Sequence, residues 1–147
     1  MRPRYRDLFC RMCDPDPIER ETAFDAVLFD RHEALPDIIA AYRAKRFGPT
    51  KKAEFRFDLV QLMGFSGSTD ALAPLLEALS DRDPDVQAEA CRSLEDLKPV
   101  MDVAFRQQIC ERLRSMLTHR AAVVRHAAGD ALVALEGPAT RRKVVGD

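Results

Sequence analysis

The fold is decided by one stretch. It reads Thr69-Asp70-Ala71-Leu72-Ala73-Pro74-Leu75-Leu76-Glu77-Ala78-Leu79, then Ser80-Asp81-Arg82-Asp83-Pro84-Asp85, then Val86-Gln87-Ala88-Glu89-Ala90-Cys91-Arg92-Ser93-Leu94-Glu95-Asp96-Leu97. Leu72, Leu75, Leu76 and Leu79 recur at i, i+3, i+4 and i+7, which is one face of an α-helix. Asp70 is the expected N-cap of that helix. Residues 80–85 break it, because Asp favours turns and caps and Pro84 suits the first turn of a new helix. Val86, Ala90, Leu94 and Leu97 form the buried stripe of the second helix. Small residues at Ala90 and Ser93 let a paired helix approach closely.

The same grammar recurs on both sides of this hairpin. Towards the C-terminus, Ile109, Leu113, Met116 and Leu117 mark a first helix, and Val124, Ala128, Ala131 and Leu132 repeat the pattern of Val86, Ala90, Ser93 and Leu94. Towards the N-terminus, Leu8, Phe9 and Met12 precede the turn Asp14-Pro15-Asp16-Pro17, and residues 20–27 match 87–94. Between them, Leu35, Ile38, Ile39 and Tyr42 give one helix, and Phe55, Leu59, Leu62 and Met63 give its partner. Aligning Arg20, Arg56, Gln87 and Arg125 gives an uneven spacing of roughly 31 to 38 residues, as stacked helical hairpins show when their loops vary. The expectation is an all-α protein, an α-solenoid of about four hairpins in a right-handed curved stack. Residues 1–137 form a single repeat domain. Gly137-Pro138 ends the last helix, and 138–147 is a flexible basic tail.

The Leu-rich helix, the Asp-rich turn with Pro and the run Val-Arg-x-x-Ala-x-x-Ala-Leu resemble HEAT repeats, especially the short bacterial HEAT-like type. Val124 to Leu132 carries the pattern with its Arg, and Leu72 to Leu97 carries it with Gln87 in that place. The resemblance implies that the repeat Arg bonds turn aspartates and that the second helices line the concave face. It also implies a surface for binding rather than for catalysis.

Composition narrows the function. Lys and Arg number 23 against 24 Asp and Glu, which lacks the basic excess of a general nucleic-acid binder. No apolar run reaches the ~18–20 residues of a membrane span, and the basic N-terminus lacks the apolar segment of a signal peptide. Four Cys do not make a disulfide scaffold, so the cytoplasm is the expected location.

Catalytic and metal chemistry find little support. Cys10-Arg11-Met12-Cys13 is half of a zinc site with no second half. Cys10 and Cys13 are therefore expected to be buried, reduced and metal-free. His32-Glu33 is similar to the pairs with which the HEAT-like deoxyhypusine hydroxylase holds iron, but one pair is too few ligands for a di-iron centre. His126 and Asp130, four residues apart, read as a surface pair. No nucleophile–base arrangement, Walker loop or dinucleotide fingerprint is present. No catalytic residue, metal or cofactor is assigned, and the protein is expected not to be an enzyme.

Charge is unevenly placed. Arg43, Lys45, Arg46, Lys51, Lys52 and Arg56 face only Glu54 within residues 43–56, with Phe47 at the tip of an irregular loop. Acids dominate residues 70–102. On the second helices the alignment places Asp25, Gln61, Arg92 and Asp130 in one row, and Thr22, Asp58, Glu89 and Ala127 in the next. The candidate partner-binding residues are Arg43, Lys45, Arg46, Phe47, Lys51 and Lys52 on the loop, and Asp25, Asp58, Glu89, Arg92 and Asp130 on the face. The expected function is a non-catalytic protein-interaction module or adaptor, with the end repeats available for self-association. The resemblance also implies two alternatives. One is a tetrapyrrole-handling protein like the phycobiliprotein lyases. The other is a nucleic-acid binder like HEAT-like DNA glycosylases, for which Arg106, Arg112, Arg114, Arg120 and Arg125 would meet phosphate.

Overall fold

Proline and aspartate set the helix starts. Pro17 and Pro84 open α2 (Pro17–Phe29) and α6 (Pro84–Asp96), where the missing N–H had no intrahelical acceptor to lose. Asp16 Oδ1 accepts from Ile18 N at 3.0 Å, and Asp83 Oδ1 accepts from Asp85 N at 2.9 Å and Val86 N at 3.2 Å. Each cap contributes about 1 kcal/mol. Just upstream, Asp14 Oδ1 and Asp81 Oδ1 accept from Asp16 N and Asp83 N at 2.8 and 2.9 Å. The two turns are built alike, as the sequence alignment requires.

A computed structural model describes the backbone of residues 1–146 and the side chains of residues 1–136. Among the described residues there are eight α-helices and no strand. Besides α2 and α6 they are α1 (Pro3–Arg11), α3 (Arg31–Arg43), α4 (Ala53–Phe65), α5 (Leu72–Ala78), α7 (Val103–Ser115) and α8 (Ala122–Gly146). They pair in order as four hairpins and stack as an all-α solenoid. Arg20, Arg56, Gln87 and Arg125 each stand at the fourth position of their helix.

The second helices form the spine: α4 packs on α6, and α6 packs on α8. Val86, Ala90, Leu94, Leu72, Leu79, Val124, Ala128 and Leu132 are buried, and Leu76 is half-buried. The α4–α6 approach rests on Gly64, which lies against Ser93; a Cβ built on Gly64 would come within 2.7 Å of Ser93 Cβ. Ser93 Oγ donates to Val60 O across the same contact at 3.0 Å. At the N-terminal end, a chain of ring contacts runs Tyr5–Phe9–Phe55–Phe47 and ties the first hairpin to the second. Arg2 fastens α1 to α3: its N and Nε donate to the Asp37 carboxylate, both at 2.8 Å.

Two local expectations are corrected. Asp70 is not the N-cap of α5, because Thr69–Ala71 forms a 3-10 turn capped by Ser68, whose Oγ accepts from Asp70 N at 3.1 Å. The last helix does not stop at Gly137-Pro138; α8 runs from Ala122 to Gly146. Pro138 has no N–H to offer the carbonyl four residues back. Lys98 Nζ supplies that donor instead, bonding Ala134 O at 2.7 Å. The expected flexible tail, 138–147, falls on residues whose side chains lie outside the described set.

Candidate interaction surfaces

Each of the repeat arginines locks the turn before its own helix. Arg20 Nη1 donates to Asp14 O and Pro15 O at 2.8 and 3.0 Å, Arg56 Nη1 to Thr50 O and Lys51 O at 3.0 and 3.1 Å, and Arg125 Nη1 to His119 O and Arg120 O at 2.7 and 3.0 Å. The acceptors are carbonyls of the same repeat's turn, so each guanidinium closes the loop that leads into its own helix. Gln87 reaches Leu79 O instead, at 3.2 Å. The bond to a turn aspartate that the resemblance implied is made by Arg20 to the Asp14 carbonyl and by Arg56 to a carboxylate, and the latter crosses to the next repeat.

There Arg56 Nε and Nη2 donate to Asp81 Oδ2 and Oδ1 at 3.0 and 3.1 Å. Tyr42 Oη donates to Asp81 Oδ2 at 2.9 Å. Both charged side chains are buried, 7% and 5% exposed. Burial alone would raise the Asp81 carboxyl, but the bonds from Arg56, Asp83 N and Tyr42 outweigh it and hold the group below the usual carboxylate range. Burial, with Asp81 adding to it, pushes the Tyr42 phenol up, so it stays a donor.

This network floors a groove of about 970 Å³ between the C-terminal ends of α3 and α5. Lys45, Lys51 and Arg82 stand on its rim and are exposed. Among the described residues none of the three makes an ion pair, whereas Arg43 pairs with Glu77. Arg82 Nη2 donates to Lys51 O at 3.3 Å, which ties the rim together across two repeats. Arg82 was not legible as part of this site, because only stacking brings its turn beside the 43–52 loop.

Phe47 does not stand free at the loop tip. It is half-buried, packed on the core with its ring centroid 6.3 Å from that of Phe55. An aromatic ring in a basic loop gains more from the core than from water. Thr50 Oγ1 fixes the loop further by donating to Ala41 O at 2.8 Å. Lys45, Arg46, Lys51 and Lys52 are the cations that the anchored loop leaves exposed.

On the second-helix face, Asp25, Arg92 and Asp130 are exposed. Glu89 is not: it is buried in the α6 packing, with Arg92 Nη1 on its Oε2 at 3.0 Å. Burial raises the Glu89 carboxyl and Arg92 partly opposes it. Asp58 is half-buried in a small groove with Pro17, Arg20 and Phe24. Burial pushes its carboxyl up to about 6, against a smaller opposing pull from Arg20. An acid raised in the folded state loses stability as pH climbs from its unfolded value through its folded one. Asp58→Asn is therefore expected to stabilise the protein by about 1 kcal/mol near pH 7.5, discounted for the part of the side chain that meets water, with the gain vanishing near pH 4. Urea unfolding at both pH values checks this.

The thiols correct another expectation. Cys10 is exposed and Cys13 half-buried, because α1 turns Phe9 and Met12 inward instead. Cys91 and Cys110 are buried, and burial raises both thiols, to about 12 and about 11. Among the described residues no group of three or more His, Cys, Asp or Glu is placed to hold a metal. His126 and Asp130 are both exposed. No described helix is long and apolar enough to cross a membrane.

Stacked hairpins with Arg-locked turns define a short helical-repeat protein. A family model described as HEAT repeats matches residues 49–132, more than half of the chain, and the protein belongs to the HEAT-repeat family. Repeats of this family commonly mediate protein–protein interaction. A comparison with curated proteins finds no match.

Proposed function

We propose that the protein is a non-catalytic interaction module that docks an acidic segment of a partner protein in the α3–α5 groove. The observation that carries this is the rim: Lys45, Lys51 and Arg82 converge on one concavity and make no ion pair among the described residues, while the carboxylates of its lining, Glu77 and Asp81, are engaged by Arg43 and Arg56. Cations held on a rigid stack attract an acidic segment before contact and set its register. The buried Arg56–Asp81 pair keeps the two repeats that build the groove in fixed relation. The adaptor role and the cytoplasmic location belong to this reading.

The alternatives have less to stand on. In the segment suggested for phosphate, Arg112 bonds Ser80 Oγ and Arg125 bonds its own turn, while Arg114 pairs with Glu136. The charged rim and floor of the groove do not suit a tetrapyrrole ring, which needs apolar walls.

The test is fluorescence anisotropy with a labelled Asp/Glu-rich synthetic peptide against the parent and Lys45→Glu/Lys51→Glu. The variant is expected to bind about tenfold more weakly, with the loss mainly in association rate and a flatter salt dependence. Equal binding by both proteins overturns the reading. So does a double-stranded oligonucleotide that binds more tightly than the peptide at about 150 mM salt.

A further inference from the structure

The second helices carry an apolar ledge that the groove does not explain. Phe29 and Phe65 are the last residues of α2 and α4 and occupy equivalent positions in successive repeats. Phe29 is 86% exposed and Phe65 42%. Arg31 holds the two helix ends together: its Nη1 donates to Leu28 O at 3.2 Å and its Nε to Phe65 O at 2.9 Å. One guanidinium thus caps carbonyls of both helices, and the two rings stand on neighbouring helix ends.

In the next repeat the position of Phe29 and Phe65 is taken by Asp96, the last residue of α6. Asp96 and Asp130 are exposed and Glu95 half-buried. Glu95 is raised by burial first and then by Asp130 and Asp96, so both of those carboxylates lie near it. Of the cations beside them, Arg92 is engaged by Glu89 and Lys98 by Ala134 O. The helix-end row therefore runs Phe29, Phe65, Asp96 along the stack, with Asp130 one turn back from the equivalent Ala134 on α8, and neighbouring second helices are roughly 8–10 Å apart.

We infer that this row is a second docking surface, and that its occupant is a segment of another protein with an aromatic or branched aliphatic residue at one end and Lys or Arg residues at the other. The rings supply apolar contact for the first part. The acids at Asp96 and Asp130 supply charge complementarity for the second and exclude an acidic chain. The segment differs in charge from the one proposed for the α3–α5 groove, so the two surfaces take different partners.

Two labelled synthetic peptides test this, one with a Phe-Leu pair preceding a Lys-rich stretch and one with the order reversed. At least one should bind the full-length protein. Phe29→Ser/Phe65→Ser should weaken it about tenfold at every salt concentration, since aromatic anchors dominate such contacts. Asp96→Lys/Asp130→Lys should weaken it about as much at low salt and flatten the salt dependence. Circular dichroism on each variant confirms that it is folded. Lys45→Glu/Lys51→Glu should leave this binding no weaker, which separates the surface from the groove. The inference is overturned if neither peptide binds, if a Lys-rich peptide without the apolar pair binds equally well, or if the phenylalanine variant binds like the parent. It is also overturned if sedimentation velocity shows the parent to be a dimer that Phe29→Ser/Phe65→Ser dissociates, because a second copy then covers the ledge.

Discussion

Asp81→Ala is expected to destabilise the protein by about 3–5 kcal/mol, because it leaves a buried guanidinium without its counter-charge. Arg56 keeps Thr50 O and Lys51 O as acceptors for Nη1 but loses both acceptors for Nε and Nη2. Tyr42 loses its acceptor in the same step. Against a typical net stability of about 5–15 kcal/mol this is a large fraction. Urea unfolding of parent and variant measures it. Arg56→Met/Asp81→Leu should recover a substantial part, since removing both charges leaves neither unpaired, and the cycle through the single variants gives the coupling. The pH dependence follows from the lowered Asp81 carboxyl. Its contribution is present above the unfolded carboxyl value near 3.9 and is lost as pH falls through the lower folded value. Asp81→Ala should therefore flatten the acid limb of the stability curve. Asp58→Asn acts in the opposite sense, higher in pH.

Gly64→Ala is the second large effect expected, about 1–3 kcal/mol of destabilisation. In an isolated helix the same change would gain about 1 kcal/mol, so the sign itself is diagnostic. The added methyl would stand 2.7 Å from Ser93 Cβ and 3.0 Å from Ser93 Cα. Side-chain rotation cannot relieve a contact with Cβ and Cα, so α4 and α6 must separate along a large packing surface. Gly64→Ala/Ser93→Gly moves the small residue to the other helix and should recover part of the loss. The recovery is incomplete because the bond from Ser93 Oγ to Val60 O disappears. Thermal unfolding of the two single variants and the double variant checks the prediction. Independent behaviour of the two sites would show that the helices do not meet there.

Much of the architecture was legible because it is written in local terms. Pro at the first helical position, Asp one and three residues before Pro17 and Pro84 accepting turn N–H groups, and apolar residues at i, i+3 and i+4 all act within a few residues of chain. They located α2, α4, α6 and α8 and set the repeat register. The buried stripe around Ala90, Ser93 and Leu94 was readable for the same reason. Less of the surfaces was readable. The loop cations were visible as a charge run, but Phe47 looked like their tip until Phe55 was seen beneath it. Phe29 and Phe65 had a signal that went unread: two aromatic residues in one aligned column on an otherwise polar face.

That the chain forms helical hairpins, their number and the faces they bury all follow from local patterns, because hydrophobic periodicity and capping are short-range and recur along the chain. Which charges meet depends instead on how the hairpins stack. Asp81 finds Arg56 and Tyr42 rather than the side chain at the repeat position of its own helix. Glu89 sinks into the packing of α6 while Cys10 turns outward, and Lys98 reaches the Ala134 O that Pro138 leaves without a donor in α8. Each of these outcomes depends on the offset between stacked hairpins. That offset is set by close approaches such as Gly64 on Ser93, a steric fit between residues far apart in the chain that periodicity within one helix does not encode.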